Sequence, residues 1–177
     1  MVHADRWMRD SLRTARLTLR LPVASDADEL HAIFSAPRTN TIGDGPFTSP
    51  DQTAHWIARR QALYADHGLA WYLVRAIDGG LLLGNCGMLT TRGTVAEPEI
   101  GYMIRSSNQG RGYASEAAEA VLAEAAAAGI EIVWSTIRPG NLASCRVIER
   151  AGFHVQRTEN DRKGPLRYYK RSLREAA

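Results

Sequence analysis

The chain has few cysteines, no long apolar run and no cluster of basic residues. Its 177 residues include two cysteines, Cys86 and Cys145, without paired spacing, so we expect reduced thiols in a core rather than a disulfide framework. No stretch reaches the ~20 apolar residues of a membrane span. The charged N-terminus also lacks the apolar segment of a signal peptide. We therefore expect a cytoplasmic protein that does not associate with a membrane.

The composition is that of an ordinary globular protein. Apolar residues make up 45% of the chain and charged residues 23%, with a formal net charge of +3. A chain of this length most simply forms one domain, residues 1–177, in which the polar residues 1–13 form an N-terminal arm. The mild positive charge suits an anionic ligand. No basic stripe with interleaved aromatic residues supports direct nucleic-acid binding, which remains a weak alternative.

Hydrophobic patterning predicts a sheet with inserted helices. Alternating leucines at 17, 19 and 21 predict a half-buried strand, and Asp78-Gly79-Gly80 predicts a tight hairpin turn. Helices are expected to begin near residues 25, 50, 113 and 142. The remaining strands are expected at 69–77, 81–91, 99–105, 130–137, 153–156 and 166–173, with loops at 38–47 and 157–165. Strands grouped as a meander predict an α/β (α+β) fold around a mixed, mainly antiparallel sheet.

A glycine-bearing loop between a predicted strand and a predicted helix is the central motif. Its sequence, Gln109-Gly110-Arg111-Gly112-Tyr113-Ala114, places unpaired helix amides and a positive dipole where an anion can bind. The pattern of Gln109, Gly112 and Ala114 differs from a P-loop and from a dinucleotide fingerprint. It resembles the pyrophosphate loop of the GNAT superfamily of N-acyltransferases.

A second motif lies downstream and is more specific. Asn141 and Ser144, followed by Glu149, Gly152 and Phe153, resemble the Asn-x-x-Ser…Glu-x-x-Gly-Phe unit of the ribosomal-protein-alanine acetyltransferase-like (Rim-type) branch of that superfamily. Simple helix capping explains Asn141 and Gly152, but it does not explain Ser144. The resemblance extends over roughly residues 15–173.

The resemblance implies a twisted six- or seven-stranded sheet with helices on both faces and a splayed parallel strand pair. Acetyl-CoA, the expected cosubstrate, would bind in that gap, and no metal is expected. The backbone of the 99–105 strand would pair with the pantetheine arm, and the loop amides would hold the pyrophosphate. The cofactor-binding residues implied are Met103, Ile104, Arg105, Gln109, Gly110, Arg111, Gly112, Tyr113, Ala114, Asn141 and Ser144.

Transfer to an amine also needs groups that move protons, and the sequence offers two candidates. Glu99, at the head of the strand, is a candidate base. Many relatives use a tyrosine in the helix after Asn141 as general acid, but none lies between 141 and 152 here. Ser144 is therefore the candidate acid, and Tyr168 and Tyr169 are weaker alternatives.

The predicted function is an N-acetyltransferase acting on a protein N-terminus or a small-molecule amine. An α-amine with pKa ~8 is about a tenth neutral at pH 7 and needs little help from a base. The alternative is an acyl-CoA sensor that binds without transferring, which the missing tyrosine favours. A homodimer remains open.

Overall fold

One eight-stranded sheet forms the centre of the fold. The computed structural model describes residues 7–38 and 45–174. The strand order is β1-β2-β3-β4-β5-β6-β8-β7, and every neighbouring pair is antiparallel except β5 and β6, which are parallel. The strands are β1 Ser11–Arg13, β2 Leu17–Arg20, β3 Trp71–Ala76, β4 Leu82–Leu89, β5 Glu99–Ile104, β6 Ile132–Ile137, β7 His154–Asp161 and β8 Gly164–Ser172. The predicted mixed sheet is confirmed, with eight strands rather than six or seven.

Four α-helices within the described residues flank the sheet, and their ends follow from local chemistry. They are α1 Ala27–Phe34, α2 Pro50–His67, α3 Tyr113–Ala127 and α4 Leu142–Arg150. The second helix begins at Pro50, where the sequence predicts a helix start. Ser49 and Gln52 form a capping box there, and Gly68 ends the helix with φ 69°. No helix among the described residues is long and apolar enough to cross a membrane.

Two apolar layers hold helices against the two faces of the sheet. On one face, Leu30 and Ile33 of α1 and Trp56 of α2 pack against Trp71 and Leu73 of β3. On the other face, α3 presents small buried residues, which allow it to lie close to the strands. These include Ala117, Ala118, Val121 and Ala125, packed with Tyr72, Ile100 and Phe153.

Two glycines in β4 permit close contact with its neighbouring strands. A Cβ on Gly84 would lie 1.9 Å from the carbonyl oxygen of Met103, and one on Gly87 would lie 2.3 Å from Cα of Trp71. Glycines that interrupt an apolar strand suggest a bulge or a close backbone contact, and at these two positions the structure shows the close contact.

Two predicted segments differ from the structure. The polar stretch 157–165 was expected to be a loop, but β7 and β8 form a hairpin that turns at Arg162 and Lys163. Every residue of β7 is exposed, so it lacks the apolar alternation that reveals a half-buried strand. Within the expected N-terminal arm, β1 pairs with β2 and Met8 is only 1% exposed. Three residues are too few to show a period.

Candidate functional site

The parallel strands β5 and β6 separate soon after they meet. Their register records one pair, Glu99 with Trp134, and the Trp134 N–H donates to Pro98 O at 2.8 Å. The Ser135 hydroxyl contacts Ile100 O at 3.3 Å. Beyond these contacts the strands diverge, which confirms the predicted splayed pair. The divergence leaves the last part of β5 with one unpaired edge.

The direction of the backbone along β5 decides which peptide groups face this gap. The Arg105 N–H donates a 2.7 Å bond to β4, and Met103, two residues earlier, faces β4 in the same way. Because neighbouring residues of a strand point to opposite sides, the peptide groups of Tyr102 and Ile104 face the gap. The peptide groups of Met103 and Arg105, whose contacts with the cofactor stay a prediction, are directed at β4. Those of Tyr102, which sequence reasoning missed, and Ile104 face the gap.

The glycine loop opens α3 and lines a cavity of about 430 Å³ beside the gap. Gly110 and Gly112 have φ angles of 76° and 80°, which glycine adopts without strain. Gly112 is the N-cap of α3, and its carbonyl accepts from Glu116 N at 3.1 Å. The amides of the first helical turn therefore have no partner within the helix and are available to an anion.

This cavity, called the loop cavity below, contains most of the predicted cofactor residues. Five of the six loop residues line it, together with Met103, Ile104, Asn141 and Ser144. The Gln109 side chain is fixed by a 2.8 Å bond from Nε2 to Ile104 O. Seven further residues that line this cavity were not among the predicted cofactor residues: Tyr102, Asn108, Ser115, Ala143, Arg146, Val147 and Arg150. The spacing of Arg146 and Arg150, four residues apart on α4, was the available signal for a basic helix face.

Arg111 braces the loop from outside the cavity. It is exposed and does not line the loop cavity, and its predicted contact with the cofactor stays a prediction. Its carbonyl accepts from Arg16 Nη1 at 3.0 Å. Arg16 also pairs with Glu116 at 2.7 Å and lies 4.7 Å from the centre of the Tyr113 ring. Burial acts to raise the pKa of Glu116, but hydrogen bonds from Thr14 and Arg16 lower it overall.

Asn141 and Ser144 meet Tyr102 at the start of α4. Asn141 Oδ1 accepts from Ser144 N at 3.2 Å, so the capping interpretation of Asn141 is confirmed. The Tyr102 hydroxyl donates to Ser144 O at 2.9 Å. Burial raises the pKa of Tyr102, which keeps this phenol protonated as a donor. Tyr102 thus ties β5 to α4 across the gap.

A second cavity, of about 450 Å³, lies on the side of α2 and is called the aromatic cavity below. It shares Tyr102, Met103 and Ser144 with the loop cavity, so the two meet at these residues. Phe34 lies 4.9 Å from Phe47 and 5.0 Å from Trp56 between ring centres, and Trp56 lies 5.8 Å from Trp71. Of the predicted loop 38–47, residues 39–44 lie outside the described residues, and 45–47 line this cavity.

Glu99 is buried in the wall of the aromatic cavity. The side chain is 4% exposed, although an acid at the end of a strand is more often solvated. Its Oε1 accepts from the Thr136 hydroxyl, while Oε2 is buried without a partner among the described residues. Burial raises the pKa of Glu99 against the lowering effect of that bond and of the Arg92 charge. A carboxylate in this state is suited to accept a proton.

Arg60 and Asn85 line the same cavity and were not predicted. The Arg60 guanidinium lies 5.1 Å from the ring centre of Trp56 and 4.5 Å from that of Trp71. Burial and the neighbouring Arg59 charge lower its pKa to about 10, with Glu99 acting in the opposite direction. Asn85 Oδ1 accepts from Trp71 Nε1 at 3.2 Å. No sequence motif joins positions this far apart, so only the fold brings them together.

The other candidates of the sequence analysis lie elsewhere. Tyr168 and Tyr169 line neither cavity, and the Tyr169 hydroxyl donates to Glu149 at 3.2 Å. Cys86 and Cys145 are buried and free, as predicted. Among the described residues, no three His, Cys, Asp or Glu side chains are grouped as metal ligands.

Comparison with known proteins assigns this fold and site to a family. A family model for the acetyltransferase (GNAT) domain matches residues 16–154, and the chain belongs to this family. YkkB, an uncharacterized protein of Bacillus subtilis, is 30% identical over 92% of this chain and 96% of its own.

Solved structures agree with the assignment. A Bordetella pertussis protein assigned to the GnaT acetyltransferase family is 25% identical, with a TM-score of 0.81 over 92% of this chain and 99% of its own. Salmonella typhimurium yncA, solved with its cofactor acetyl-CoA, is 20% identical, with a TM-score of 0.73 over 91% of this chain and 96% of its own. Ribosomal-protein acetyltransferases are also among the similar folds, but membership of the Rim-type branch remains a prediction.

Proposed function

We propose that this protein transfers the acetyl group of acetyl-CoA directly to a primary amine, a protein N-terminal α-amine or a small-molecule amine, in a ternary complex. One observation carries the proposal: two cavities meet at Tyr102, Met103 and Ser144. The loop cavity has the features of a site for a long anionic thioester, and the aromatic cavity has a buried carboxylate. The meeting point is where two substrates would come into contact.

The residues of the loop cavity fit acetyl-CoA. The first amides of α3 suit its pyrophosphate, and Arg146 and Arg150 add positive charge along α4. The peptide groups of Tyr102 and Ile104 suit an extended amide chain that adds to the edge of β5. Asn141 and Ser144 lie where its thioester end would reach. When bound, acetyl-CoA supplies an electrophilic acetyl carbonyl and a thiolate leaving group.

The chain's own residues divide the proton transfers between the two cavities. Glu99 takes the proton of the incoming amine, since it is the one carboxylate among the described residues that line the aromatic cavity. Ser144, at the meeting point, donates a proton towards the leaving thiolate, directly or through water. A peptide N–H on the free edge of β5 stabilises the developing oxyanion, a contribution typically of ~3 kcal/mol.

The buried cysteines support direct transfer. Cys86 and Cys145 line neither cavity, and burial raises the pKa of Cys86. A nucleophilic cysteine needs an accessible thiolate. An acyl-enzyme on either residue is therefore disfavoured.

The alternative is an acyl-CoA sensor without transferase activity, which the absence of a tyrosine in α4 favours. A thiol-release assay with acetyl-CoA decides between the two. The acceptor panel contains N-terminal peptides beginning with Ala, Ser or Met, polyamines, aminoglycosides and free amino acids, and cofactor binding is titrated in parallel. Release with one acceptor class supports transfer. Tight binding without release across the panel supports the sensor.

A further inference from the structure

The aromatic cavity contains three of the four buried side-chain atoms that lack a hydrogen-bond partner among the described residues. They belong to Arg60, Asn85 and Glu99, and the fourth belongs to Arg105 outside this cavity. Buried polar groups in folded proteins nearly always find partners. Three exceptions among the residues that line one cavity show that its wall is polar, and the hydrogen-bonding groups of these side chains indicate a polar ligand.

The three atoms differ in whether they donate or accept a hydrogen bond. Trp71 Nε1 can only donate, so its 3.2 Å contact with Asn85 identifies the side-chain oxygen there and leaves the Asn85 NH₂ as the free group. Arg60 Nε is likewise a donor. Glu99 Oε2 is an acceptor when ionised. The cavity thus offers two donors and one acceptor, and their complement is a molecule with an acceptor group and an N–H group.

The charges around the cavity indicate that the hydrogen-bond acceptor on the ligand is an anion. The charged residues that line the cavity are Arg59, Arg60, Arg92 and Glu99, three cations and one carboxylate. The Nε of Arg60 has no hydrogen-bond partner within residues 7–38 and 45–174. The position of Arg60 against Trp56 and Trp71 limits the directions open to its nitrogens. A polycationic amine would be repelled here, whereas a carboxylate would be attracted.

We propose that the acceptor is a small amine that also carries a carboxylate and an apolar body, as a free apolar amino acid does. Arg60 and the Asn85 amide bind the carboxylate, Glu99 faces the amine, and Phe34, Phe47 and Trp56 contact the apolar part. This inference rests on the proposed acetyl transfer and selects among the amines that the proposed function leaves open. It disfavours polyamines and aminoglycosides as acceptors. A peptide N-terminus ranks second as an acceptor, because its neighbouring carbonyl is neutral.

The test compares acceptors that differ only in the carboxylate: leucine, leucinamide and isoamylamine. We expect kcat/KM for leucine to exceed that for leucinamide at least tenfold, because a charge-assisted pair is lost with the amide. The amide has the more readily deprotonated amine, so intrinsic reactivity would favour the opposite order. Equal or faster transfer to leucinamide or isoamylamine would overturn the proposal.

Substitution of Arg60 tests whether this residue produces the preference for leucine over leucinamide. Arg60→Gln should raise KM for leucine about 10- to 100-fold, with kcat within about threefold of wild type, and should leave leucinamide within about threefold. Arg162→Gln removes the same charge from the exposed β7–β8 turn, outside both cavities, and should raise KM for leucine less than about threefold. An equal loss for both acceptors in Arg60→Gln, or equal effects of the two variants, would contradict a direct contact.

A binding measurement separates this inference from the proposed function. N-acetyl-leucine and N-acetyl-leucinamide are titrated into the CoA-loaded protein, with tryptophan fluorescence as the signal, since Trp56 and Trp71 flank Arg60. Selective binding of the acid upholds the inference even if none of the acceptors releases thiol, a result that would count against transfer alone. Binding of neither compound, or equal binding of both, overturns the inference while leaving acetyl transfer to other amines intact.

Discussion

Replacing Glu99 by glutamine should separate activity from stability. Glutamine keeps the shape of the side chain and an oxygen for the Thr136 hydroxyl, but it cannot take a proton from the amine. A general base typically contributes 10²- to 10⁴-fold. An α-amine is already about a tenth neutral at pH 7, so we expect a loss of about 100-fold in kcat/KM, at the lower end of that range.

The pH dependence makes the prediction specific. In the wild type, the acidic limb of the rate profile follows ionisation of Glu99, whose pKa burial raises. In Glu99→Gln the remaining limb should follow the pKa of the amine itself, because only amine that is already neutral can react. The deficit should therefore shrink about tenfold between pH 7 and pH 9 for an acceptor with pKa ~8.

Stability should change in the opposite sense. Because the folded pKa of Glu99 is raised, the native state binds more protons than the unfolded chain between the two pKa values. The stability associated with protonated Glu99 is complete below the unfolded pKa and is lost as pH rises through the folded pKa. Above the folded pKa of Glu99 the wild type holds a buried carboxylate with an unpartnered Oε2. Its neutral replacement should leave Tm unchanged or raise it by about 3 °C, as expected for about 1 kcal/mol.

The assay is thiol release with saturating acetyl-CoA from pH 5.5 to 9.5, together with thermal unfolding at pH 8. Glu97→Gln is the control, since Glu97 accepts from Trp134 Nε1 at 2.7 Å and lines neither cavity. A Glu99→Gln profile that superimposes on the wild-type profile would refute the role of Glu99 as base. A large drop in Tm would show that its burial is structural.

Three further predictions follow from contacts around the gap. Ser144→Ala should lower kcat about tenfold or more while changing the acetyl-CoA dissociation constant less than about threefold; unchanged turnover would remove Ser144 as the acid. Tyr102→Phe loses the 2.9 Å bond to Ser144 O and should lower Tm by about 2–4 °C with kcat within about threefold, whereas a drop comparable to that of Ser144→Ala would make Tyr102 the proton donor. Gly84→Ala would place Cβ 1.9 Å from Met103 O and should cost more than about 3 kcal/mol of unfolding free energy or prevent folding; Gly140→Ala, with open space around it, should change stability less than about 1 kcal/mol.

Local chemistry explains what could be predicted from the sequence. Ser49 and Gly68 bound α2 through capping, and the glycines at 79 and 80 adopt the positive φ angles that a tight turn requires. Gly110 and Gly112 likewise indicate the loop before α3. Each of these features depends on residues within a few positions of one another, so the sequence shows them directly.

The errors occur where tertiary context decides. The β7–β8 hairpin carries polar, exposed residues on its outer strand, and pairing with β6 through β8, rather than periodicity, makes it a sheet edge. Which peptide groups of β5 face the gap depends on which edge of β5 pairs with β4, and the sequence of one strand does not reveal that choice. Arg60, Asn85 and Glu99 come from three separate elements, and only the packing of α2 against β3 and β4 makes them neighbours.

Calorimetric titration of acetyl-CoA into the wild type and Gly112→Asp shows whether the glycine loop binds the pyrophosphate of the cofactor. Gly112→Asp places a carboxylate where the loop would hold the pyrophosphate, whereas Gly112→Ala introduces only the strain of φ 80°, worth about 1–2 kcal/mol. Gly164→Asp, at φ 98° in the distant β7–β8 turn with open space around it, matches both strain and charge. We expect the wild type to bind acetyl-CoA. Gly112→Asp should abolish this binding, and the other two variants should retain it. Equal affinity in Gly112→Asp and Gly164→Asp would contradict this expectation.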